Sequence, residues 1–402
     1  MSKPSRVRIH GPLTPFAVGF RAELERIGYR SNAVGSQLQL LAHLSRWLDE
    51  RGLAVGDLTE RTADEFLGDR RTAGYTLWLS TKALVPLVDH LGGLGVLPAR
   101  EAPVCSPSGV LLDDYCAYLV GERGLADATA RNYAWHLRSF LSERTVGDHV
   151  ELEHVTAADL RSFLLASRAG SSIGTAKLVV TALRSFLGWC FREGLVERSL
   201  EAAVPSVAGS RLAGLPMGIS ASELARMLSA CDRRTPAGRR DAAIITVLGR
   251  LGLRAGEVCA LRLDDIDWRA GELIVTGKGS RVERLPLPAE VGEAIAAYLR
   301  RGRPKTAQGR SVFVRVHAPH RELTPAAVTN AVQRVATRAG LGRMSARTLR
   351  HSVATQMVRA GAALPEVGQV LRHRRLLTTA IYAKVDREGL RELARPWPGG
   401  AA

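Results

Sequence analysis

Two segments rich in proline, glycine and serine interrupt a chain of 402 residues that otherwise shows long stretches of helix-type periodicity. The first lies at residues 97–109 and the second at residues 205–216. Proline and glycine end helices and strands, so clusters of them mark linkers between separately folded parts. We therefore expect three parts, at residues 1–100, 108–205 and 215–402, each within the size range of ordinary domains.

The first two parts have the periodicity of amphipathic helices. In the second, Leu112, Tyr115, Cys116 and Leu119 follow the i, i+3, i+4 and i+7 spacing that gathers apolar side chains on one helix face. Hydrophobic residues make up 46% of the chain, which is enough for folded cores. Both parts are therefore predicted to be helical domains.

The first part is similar in sequence to the second. Residues 44–51 resemble residues 137–144, and the segments that follow, 58–67 and 155–164, resemble each other as well. The similarity indicates diverged copies of one helical unit. Generic helical periodicity gives the same signature, so duplication and coincidence both stay open.

The third part combines helices with a hairpin. Residues 272–276 and 282–287 have the composition of strands, and the glycines around Lys278 form the turn between them. N-cap residues, proline and glycine set the starts and ends of the predicted helices. These are a helix from the Ser220 capping box through Leu228, one over 239–248 ended by Gly249, one over 254–263, one opened by Thr324 and Pro325, and one over 346–360 ended by Gly361. The predicted fold class is mainly α, with a small antiparallel β-hairpin.

The charge balance indicates a polyanionic partner. Lysine and arginine total 56 against 39 for aspartate and glutamate, which gives a net charge of +17. Such an excess favours nucleic acid first and an anionic membrane surface second. An arginine-rich composition without such a partner is the alternative that charge alone leaves open.

Other classes find little support in the sequence. The five cysteines form no C-x-x-C pair, which argues against a disulfide framework and a zinc site. The N-terminus lacks the apolar core of a signal peptide, and the strongest apolar run, 242–248, is too short to span a bilayer. We expect a cytoplasmic protein without a membrane segment.

Basic and aromatic side chains predict a DNA-facing surface on the second part. The predicted contacts on this part are Arg131, Tyr133 and Arg138 on one helix, with His136 beside them, and Lys177 and Arg184 on another. Arg281, next to the hairpin turn of the third part, is a further predicted contact. A solvated charged face explains any one of them. The whole set beside a basic third part favours phosphate contacts.

The third part also holds the side chains that phosphodiester transfer requires. That reaction needs a nucleophile, cations for the phosphoryl oxygens and an acid for the leaving oxygen. Tyr382 can be the nucleophile, Arg254 and Arg350 can fork across two oxygens, and Lys278 or His373 can supply a proton. Each residue alone has an ordinary structural interpretation. Their order and spacing along the chain indicate that their functional interpretations are not independent.

Four motifs resemble the tyrosine recombinase (phage integrase) family. They are G-L-R-A-G-E-V-C-A-L, V-T-G-K-G-S-R-V-E-R-L-P-L, T-L-R-H-S-V-A-T and L-R-H-R-R-L-L-T-T-A-I-Y-A-K-V. Residues 220–385 resemble the family's catalytic domain and residues 108–205 its helical core-binding domain, about two thirds of the chain together. Residues 1–100 lie outside the family's minimal architecture.

The resemblance implies a role for each of these side chains. Tyr382 attacks a scissile phosphate and forms a 3′-phosphotyrosyl link with a free 5′-hydroxyl, while Arg254 and Arg350 neutralise the transition state. Lys278 protonates the leaving oxygen, and His373 hydrogen-bonds the phosphate. The resemblance also implies that no metal or nucleotide cofactor is needed.

Arg347 departs from the family pattern, which has histidine three residues before the second arginine. Positions 347 and 350 share a helix face, so Arg347 can still donate a hydrogen bond towards the phosphate. A guanidinium cannot accept a proton. If the family histidine takes the tyrosine proton, water or His351 must take it here. For His351 itself, a buried structural role is the favoured interpretation.

The resemblance implies double-stranded DNA as partner, a homotetramer on DNA and accessory recombination proteins. The tail at residues 389–397 can dock on a neighbouring protomer or on its own domain. A type IB topoisomerase-like strand transferase and a catalytically impaired DNA-binding relative are the alternatives. The sequence leaves the target site undetermined, and with it the choice among phage integration, transposition and chromosome resolution.

Overall fold

A computed structural model of the protein describes residues 7–97, 106–168, 170–209, 218–277, 281–373 and 378–385. Its contacts divide the chain into two compact units. Residues 99–213 form one of them, and residues 1–98 together with 214–402 form the other. The molecule is mainly helical, which confirms the predicted fold class. Within the described ranges, no helix combines the length and apolar character needed to cross a lipid bilayer.

The N-terminal residues form a helical bundle with its own core. Its helices are α1 (Ala17–Arg26), α2 (Ser31–Glu50), α3 (Glu60–Thr72) and α4 (Val85–Gly93). Phe20, Leu41 and Phe66 lie in this core. The bundle contacts the C-terminal residues of the same unit, where Asp89 Oδ2 lies 3.5 Å from Arg321 Nη2.

The unit at 99–213 is a second helical bundle. Its elements are α5 (Pro107–Gly121), α6 (Asp127–Ser142), a small hairpin of β1 (Thr145–Val146) and β2 (His149–Val150), α7 (Ala157–Arg168) and α8 (Ile173–Arg192). An aromatic cluster fills its core, with the Tyr115 ring centroid 5.3 Å from Phe186 and 5.4 Å from Trp189. Thr59 before α3 and Thr156 before α7 cap their helices in the same way. This match agrees with the proposed duplication, which stays a prediction.

The C-terminal residues build helices around an antiparallel sheet. The helices are α9 (Ala221–Ser229), α10 (Pro236–Leu251), α11 (Ala255–Ala260), α12 (Ala289–Arg301), α13 (Pro325–Arg338), α14 (Ala346–Arg359) and α15 (Leu364–Val370), followed by a 3-10 turn at Ala380–Val385. The strands are β3 (Ile266–Asp267), β4 (Glu272–Thr276) and β5 (Val282–Pro286), in the order β3-β4-β5. Thr276 pairs with Val282, as expected for the predicted hairpin.

The predicted end of one helix was wrong. Helix α10 runs past Gly249 and ends at Leu251, and its C-cap Gly252 adopts the left-handed conformation at φ 58°. Gly249 instead gives Leu224 room to pack, because a Cβ there would lie 3.0 Å from the Leu224 methyl groups. A glycine inside a helix and one that ends it look alike in the sequence.

The helix predicted over 254–263 is shorter than expected. Arg254 is the N-cap and α11 ends at Ala260. Leu261 is already non-helical, and its carbonyl accepts a hydrogen bond from the Val312 N–H at 2.8 Å. A tertiary backbone contact therefore overrides the local helical pattern.

We predict that Gly252→Ala destabilises the protein more than Gly271→Ala. Both glycines have positive φ, which costs any other residue about 1–2 kcal/mol. At Gly252 a Cβ would also lie 2.8 Å from a methyl of the buried Leu371, whereas nothing lies within 4 Å at Gly271. Denaturant unfolding of the two variants measures the difference, and equal losses of stability would contradict the proposed crowding.

Candidate active site

Arg350 is a buried cation held by the ends of two helices. It lies on α14 and is 7% exposed. Its Nη1 donates to the Gly252 carbonyl at 2.5 Å, and its Nη2 donates to the Leu371 carbonyl. These carbonyls close the C-termini of α10 and α15, where the helix dipole places partial negative charge. Burial, with the charges of Arg254 and Arg372, lowers the pKa of Arg350 to about 10, which leaves it charged at neutral pH.

Arg254 enters the site from the N-cap of α11. Its Nη1 donates to Glu257 Oε1 at 2.5 Å, and its Nη2 donates to the Arg372 carbonyl at 3.0 Å. The Glu257 Oε2 atom accepts the Arg254 backbone N–H at 2.9 Å, so one carboxylate orders both the helix start and the guanidinium. The half-exposed side chain of Arg254 keeps further N–H groups for an incoming anion.

Arg372 is a second partner of Glu257, and sequence reasoning missed it. Its Nη2 donates to Glu257 Oε2 at 3.0 Å, and both side chains are buried. Arg372 has a φ of 55°, a strained value that places its carbonyl against Arg254. The sequence offered little signal, since Arg372 was visible only as the neighbour of His373.

The charge on Glu257 persists despite its burial. Burial raises the pKa of the Glu257 carboxyl, but the Arg254 N–H and the Arg372 and Arg254 charges outweigh that effect and lower the pKa below its usual range. The carboxylate therefore balances part of a dense cluster of arginines.

His373 lies beside the proposed nucleophile. Its Nδ1 is 2.7 Å from the hydroxyl of Thr379, and its ring is parallel to that of Tyr382 with centroids 6.4 Å apart. Burial, followed by the charges of Arg350 and Arg254, lowers the pKa of His373 to about 4. The imidazole is therefore neutral at physiological pH.

Tyr382 is packed beneath α14 on the 3-10 turn at Ala380–Val385. The residue is 1% exposed. Its hydroxyl oxygen lies 2.6 Å from His351 Nδ1. Burial raises the pKa of Tyr382, and the nearby charges of Arg350 and Arg347 oppose that rise.

Arg347 forms a side-chain hydrogen bond with His351. It is exposed on α14, and its Nε donates to His351 Nε2 at 3.1 Å. Burial, then the charges of Arg347 and Arg350, lowers the pKa of His351 to about 4. The structure therefore brings His351 into the site, where the sequence had favoured a purely structural role.

Lys278 lies outside the described residues, so its position stays a prediction. The hairpin that carries it begins beside the site. A Cβ on Gly277 would lie 3.7 Å from Glu257 Oε1, and the Gly277 N–H donates to the Arg281 carbonyl at 2.7 Å. The segment at 389–397 is likewise outside the described part of the chain.

The predicted DNA contacts fall into two groups. Arg131 and Arg138 are exposed on α6, with Arg131 Nη1 2.6 Å from Asp127. Between them Trp135 is 65% exposed on the same helix face, a signal that sequence reasoning missed. Arg281 is also exposed, at the edge of the hairpin turn.

The other predicted contacts are engaged inside their unit. Tyr133 is half-buried against the core. Lys177 donates to the Gly209 carbonyl, and Arg184 donates to the Val204 carbonyl at 2.7 Å. Both basic side chains thus fix the segment that leaves α8, and their contact with DNA stays a prediction.

We predict that Glu257→Gln destabilises the protein by about 3–5 kcal/mol, because it leaves the buried Arg372 without its counter-charge. Glu272→Gln, which removes an exposed ion pair with Arg284, should cost at most about 1 kcal/mol. Thermal and denaturant unfolding measure both. Since folding lowers the pKa of Glu257, its contribution is complete above the ordinary value of 4.5 and is lost as the pH falls below it. Equal losses in the two variants would contradict this role.

The comparisons with known proteins agree on one family. The model of the phage integrase family matches residues 218–388, and that of the phage integrase N-terminal SAM-like domain matches residues 112–194. A protein of Sinorhizobium fredii named putative integrase/recombinase y4rA is 40% identical over 396 residues, covering 97% of this chain and 96% of its own. The tyrosine recombinase XerC of a Mycobacterium species is 32% identical over 289 residues, covering 70% of this chain and 96% of its own.

Solved structures share the fold. The XerH site-specific recombinase bound to palindromic difH substrate covers 82% of this chain and 93% of its own, with 21% identity and a TM-score of 0.54. A lambda integrase dimer bound to a COC′ core site covers 83% of this chain and 90% of its own, with 18% identity and a TM-score of 0.52. The family models and the relative that is 40% identical over nearly the whole chain establish that the chain belongs to the phage integrase family of tyrosine recombinases.

Proposed function

We propose that this protein is a site-specific DNA recombinase that cleaves and rejoins strands through Tyr382. The observation that carries the proposal is that Arg254, Arg350, His373 and Tyr382 lie in one cluster, in which both arginines act electrostatically on His373 and the His373 ring is parallel to that of Tyr382. The residues come from different segments of the chain, so chance proximity is a poor explanation. Family membership supports the same reaction class.

The chemistry follows from the charges at that point. The Tyr382 oxygen attacks the phosphorus and the bond from phosphorus to the 5′-oxygen breaks, which leaves a 3′-phosphotyrosyl ester. Arg254 and Arg350 donate to the phosphoryl oxygens, whose charge is stabilised by preoriented cations. Lys278 gives a proton to the 5′-oxygen. Attack by a 5′-hydroxyl of a partner strand reverses each step and releases Tyr382.

Neutral His373 suits a donor role. When the Thr379 hydroxyl donates to Nδ1, the ring proton resides on Nε2, which is then free to donate to a phosphoryl oxygen. Burial, together with the neighbouring arginines, keeps this histidine uncharged, so it offers a neutral N–H to the phosphate.

Double-stranded DNA is the proposed partner. The exposed face of α6 offers Arg131, Trp135 and Arg138, and the net charge of +17 favours a polyanion. Strand exchange between two duplexes requires a subunit for each of four strands, so we propose a tetramer on DNA, with accessory recombination proteins as further partners. The cytoplasm is the proposed compartment.

A covalent-adduct experiment distinguishes the proposed recombinase from its two alternatives. A topoisomerase-like enzyme would form the tyrosyl adduct on any duplex sequence, and an impaired DNA-binding relative would form none. Transposition draws support from the structural likeness to a transposon integrase, at 16% identity and a TM-score of 0.53. Integration and chromosome resolution use the same chemistry, so the target DNA decides among them.

We predict that Tyr382→Phe binds DNA normally but forms no covalent adduct on a nicked suicide substrate. The change removes only the hydroxyl, whose recorded partner is His351. Tyr298→Phe is the matched control, because that buried hydroxyl accepts the Val314 N–H at 3.3 Å outside the site and should leave the adduct intact. Denaturing electrophoresis detects the adduct, and its persistence in Tyr382→Phe would exclude this nucleophile.

We also predict that Arg131→Gln and Arg138→Gln each weaken DNA binding across all sequences. Each loss of a phosphate contact should reduce the slope of log affinity against log salt by about 1. Arg198→Gln, in the exposed loop after α8, is the control. Binding measured by fluorescence anisotropy over a salt series reports the slope, and slopes unchanged from the wild type would remove α6 from the interface.

A further inference from the structure

Arg347, His351 and Tyr382 form a continuous chain of hydrogen bonds. Arg347 Nε lies 3.1 Å from His351 Nε2, and His351 Nδ1 lies 2.6 Å from the Tyr382 oxygen. Arg347 and His351 are one turn apart on α14, while Tyr382 comes from the 3-10 turn packed beneath that helix. The chain thus links the residue that departs from the family pattern to the proposed nucleophile.

The hydrogen bond from Arg347 determines where the ring proton of His351 resides. The Arg347 Nε always carries a hydrogen and can only donate, so the facing Nε2 must be an unprotonated acceptor. A neutral imidazole has one N–H, which must then be on Nδ1. That N–H points at the Tyr382 oxygen. His351 is therefore oriented as a hydrogen-bond donor to the tyrosine.

The surroundings of His351 favour its neutral form. The charged groups that face it are Arg347 and Arg350 on its own helix, and Tyr382 and His373 are the titratable groups on the other side. Burial opposes protonation of His351, as do the charges of both arginines, and its pKa falls to about 4. An imidazole that resists protonation is a weak base but remains a capable donor.

We propose that Arg347 and His351 together stabilise negative charge on the Tyr382 oxygen during cleavage, with His351 as the donor and Arg347 as the residue that fixes its tautomer. The proposal rests on the role of Tyr382 as nucleophile. As the hydroxyl proton of Tyr382 leaves, the hydrogen bond from His351 Nδ1–H to the tyrosine oxygen strengthens and stabilises the developing phenolate, which then forms the bond to phosphorus. His351 is a catalytic residue in this scheme, and Arg347 is a positioning residue.

The proton balance differs from that of a general-base mechanism. Because Nδ1 already carries a hydrogen, it cannot take the hydroxyl proton of Tyr382. That proton passes to water or to a non-bridging phosphoryl oxygen, and the leaving 5′-oxygen receives its proton from Lys278. For His351 to act as a base at Nδ1, its ring proton would have to be on Nε2. The Nε2–H would then face the Nε–H of the positively charged Arg347, and two donors would oppose each other.

The first test reads the tautomer directly. Nitrogen-15 NMR of the full-length protein with labelled histidine should show His351 with its proton on Nδ1 at pH 7, assigned by comparison with His351→Asn. In Arg347→Met the fixed tautomer should be lost and the pKa of His351 should rise, since a charge that lowers it is gone. A proton on Nε2 in the wild type would overturn the proposal.

The second test separates a donor from a base. Asparagine at position 351 keeps an N–H near the Nδ1 position but cannot accept a proton, whereas phenylalanine keeps the ring and loses both functions. We expect cleavage of a nicked suicide substrate to fall less than about 10-fold in His351→Asn and about 100-fold in His351→Phe, the loss typical of one oxyanion donor. Unfolding temperature and DNA affinity establish that both variants are folded.

The outcomes distinguish this inference from the proposed function. Equal losses in His351→Asn and His351→Phe would indicate a base, and wild-type rates in both would indicate no role, so either result overturns the proposal. The cleavage rate of Arg347→Met should lie between the rates of the wild type and His351→Phe. A rate equal to that of the wild type would exclude the positioning role. A wild-type protein that forms no adduct contradicts the proposed recombinase instead, while the NMR result still stands.

Discussion

The buried carboxylate of Glu257 is the counter-charge on which this cationic centre depends. Arginines repel one another, and the charges of Arg254 and Arg372 add to burial in lowering the pKa of Arg350. Glu257 binds Arg254 and Arg372 directly. A phosphate added to such a centre meets donors that are already oriented, so little reorganisation is needed as the transition state forms.

The site contains its own means of keeping histidines neutral. Burial lowers the pKa of both His351 and His373 to about 4, and the charge of Arg350 adds to the effect at each, together with Arg347 at His351 and Arg254 at His373. A neutral histidine can donate its N–H but adds no charge to the site. In the proposed mechanism, Arg347 can occupy the position where the family pattern has histidine because the neighbouring imidazole of His351 supplies the donor.

Much of the fold could be predicted because its signals are local. The capping box at Ser220, the Thr324 cap before Pro325 and the strand pair around Lys278 each depend on a few adjacent residues. Gly249 was misassigned because a glycine that ends a helix and a glycine that makes room for a neighbouring side chain cannot be distinguished in the sequence. The motifs around Arg254, Arg350, His373 and Tyr382 predicted catalytic roles for these four side chains, and those roles stay predictions.

What the sequence could not reveal depends on contacts between distant segments. Arg372 joins Glu257 across 115 positions, and the role of His351 depends on where the turn at Tyr382 packs. The engagement of Lys177 and Arg184 with the segment after α8 has the same origin. Residue type and spacing indicate what a side chain can do, whereas its partner is set by tertiary packing.

The main-chain acceptors of Arg350 have a consequence for how this site tolerates change over evolution. Its recorded partners are the carbonyls of Gly252 and Leu371, not side chains. Every amino acid presents the same carbonyl, so substitution at position 371 alters packing but keeps the acceptor. Substitutions around Arg350 can therefore leave the orientation of its guanidinium unchanged. Arg254 and Arg372 instead share the Glu257 side chain, and a neutral residue at position 257 cannot supply its charge.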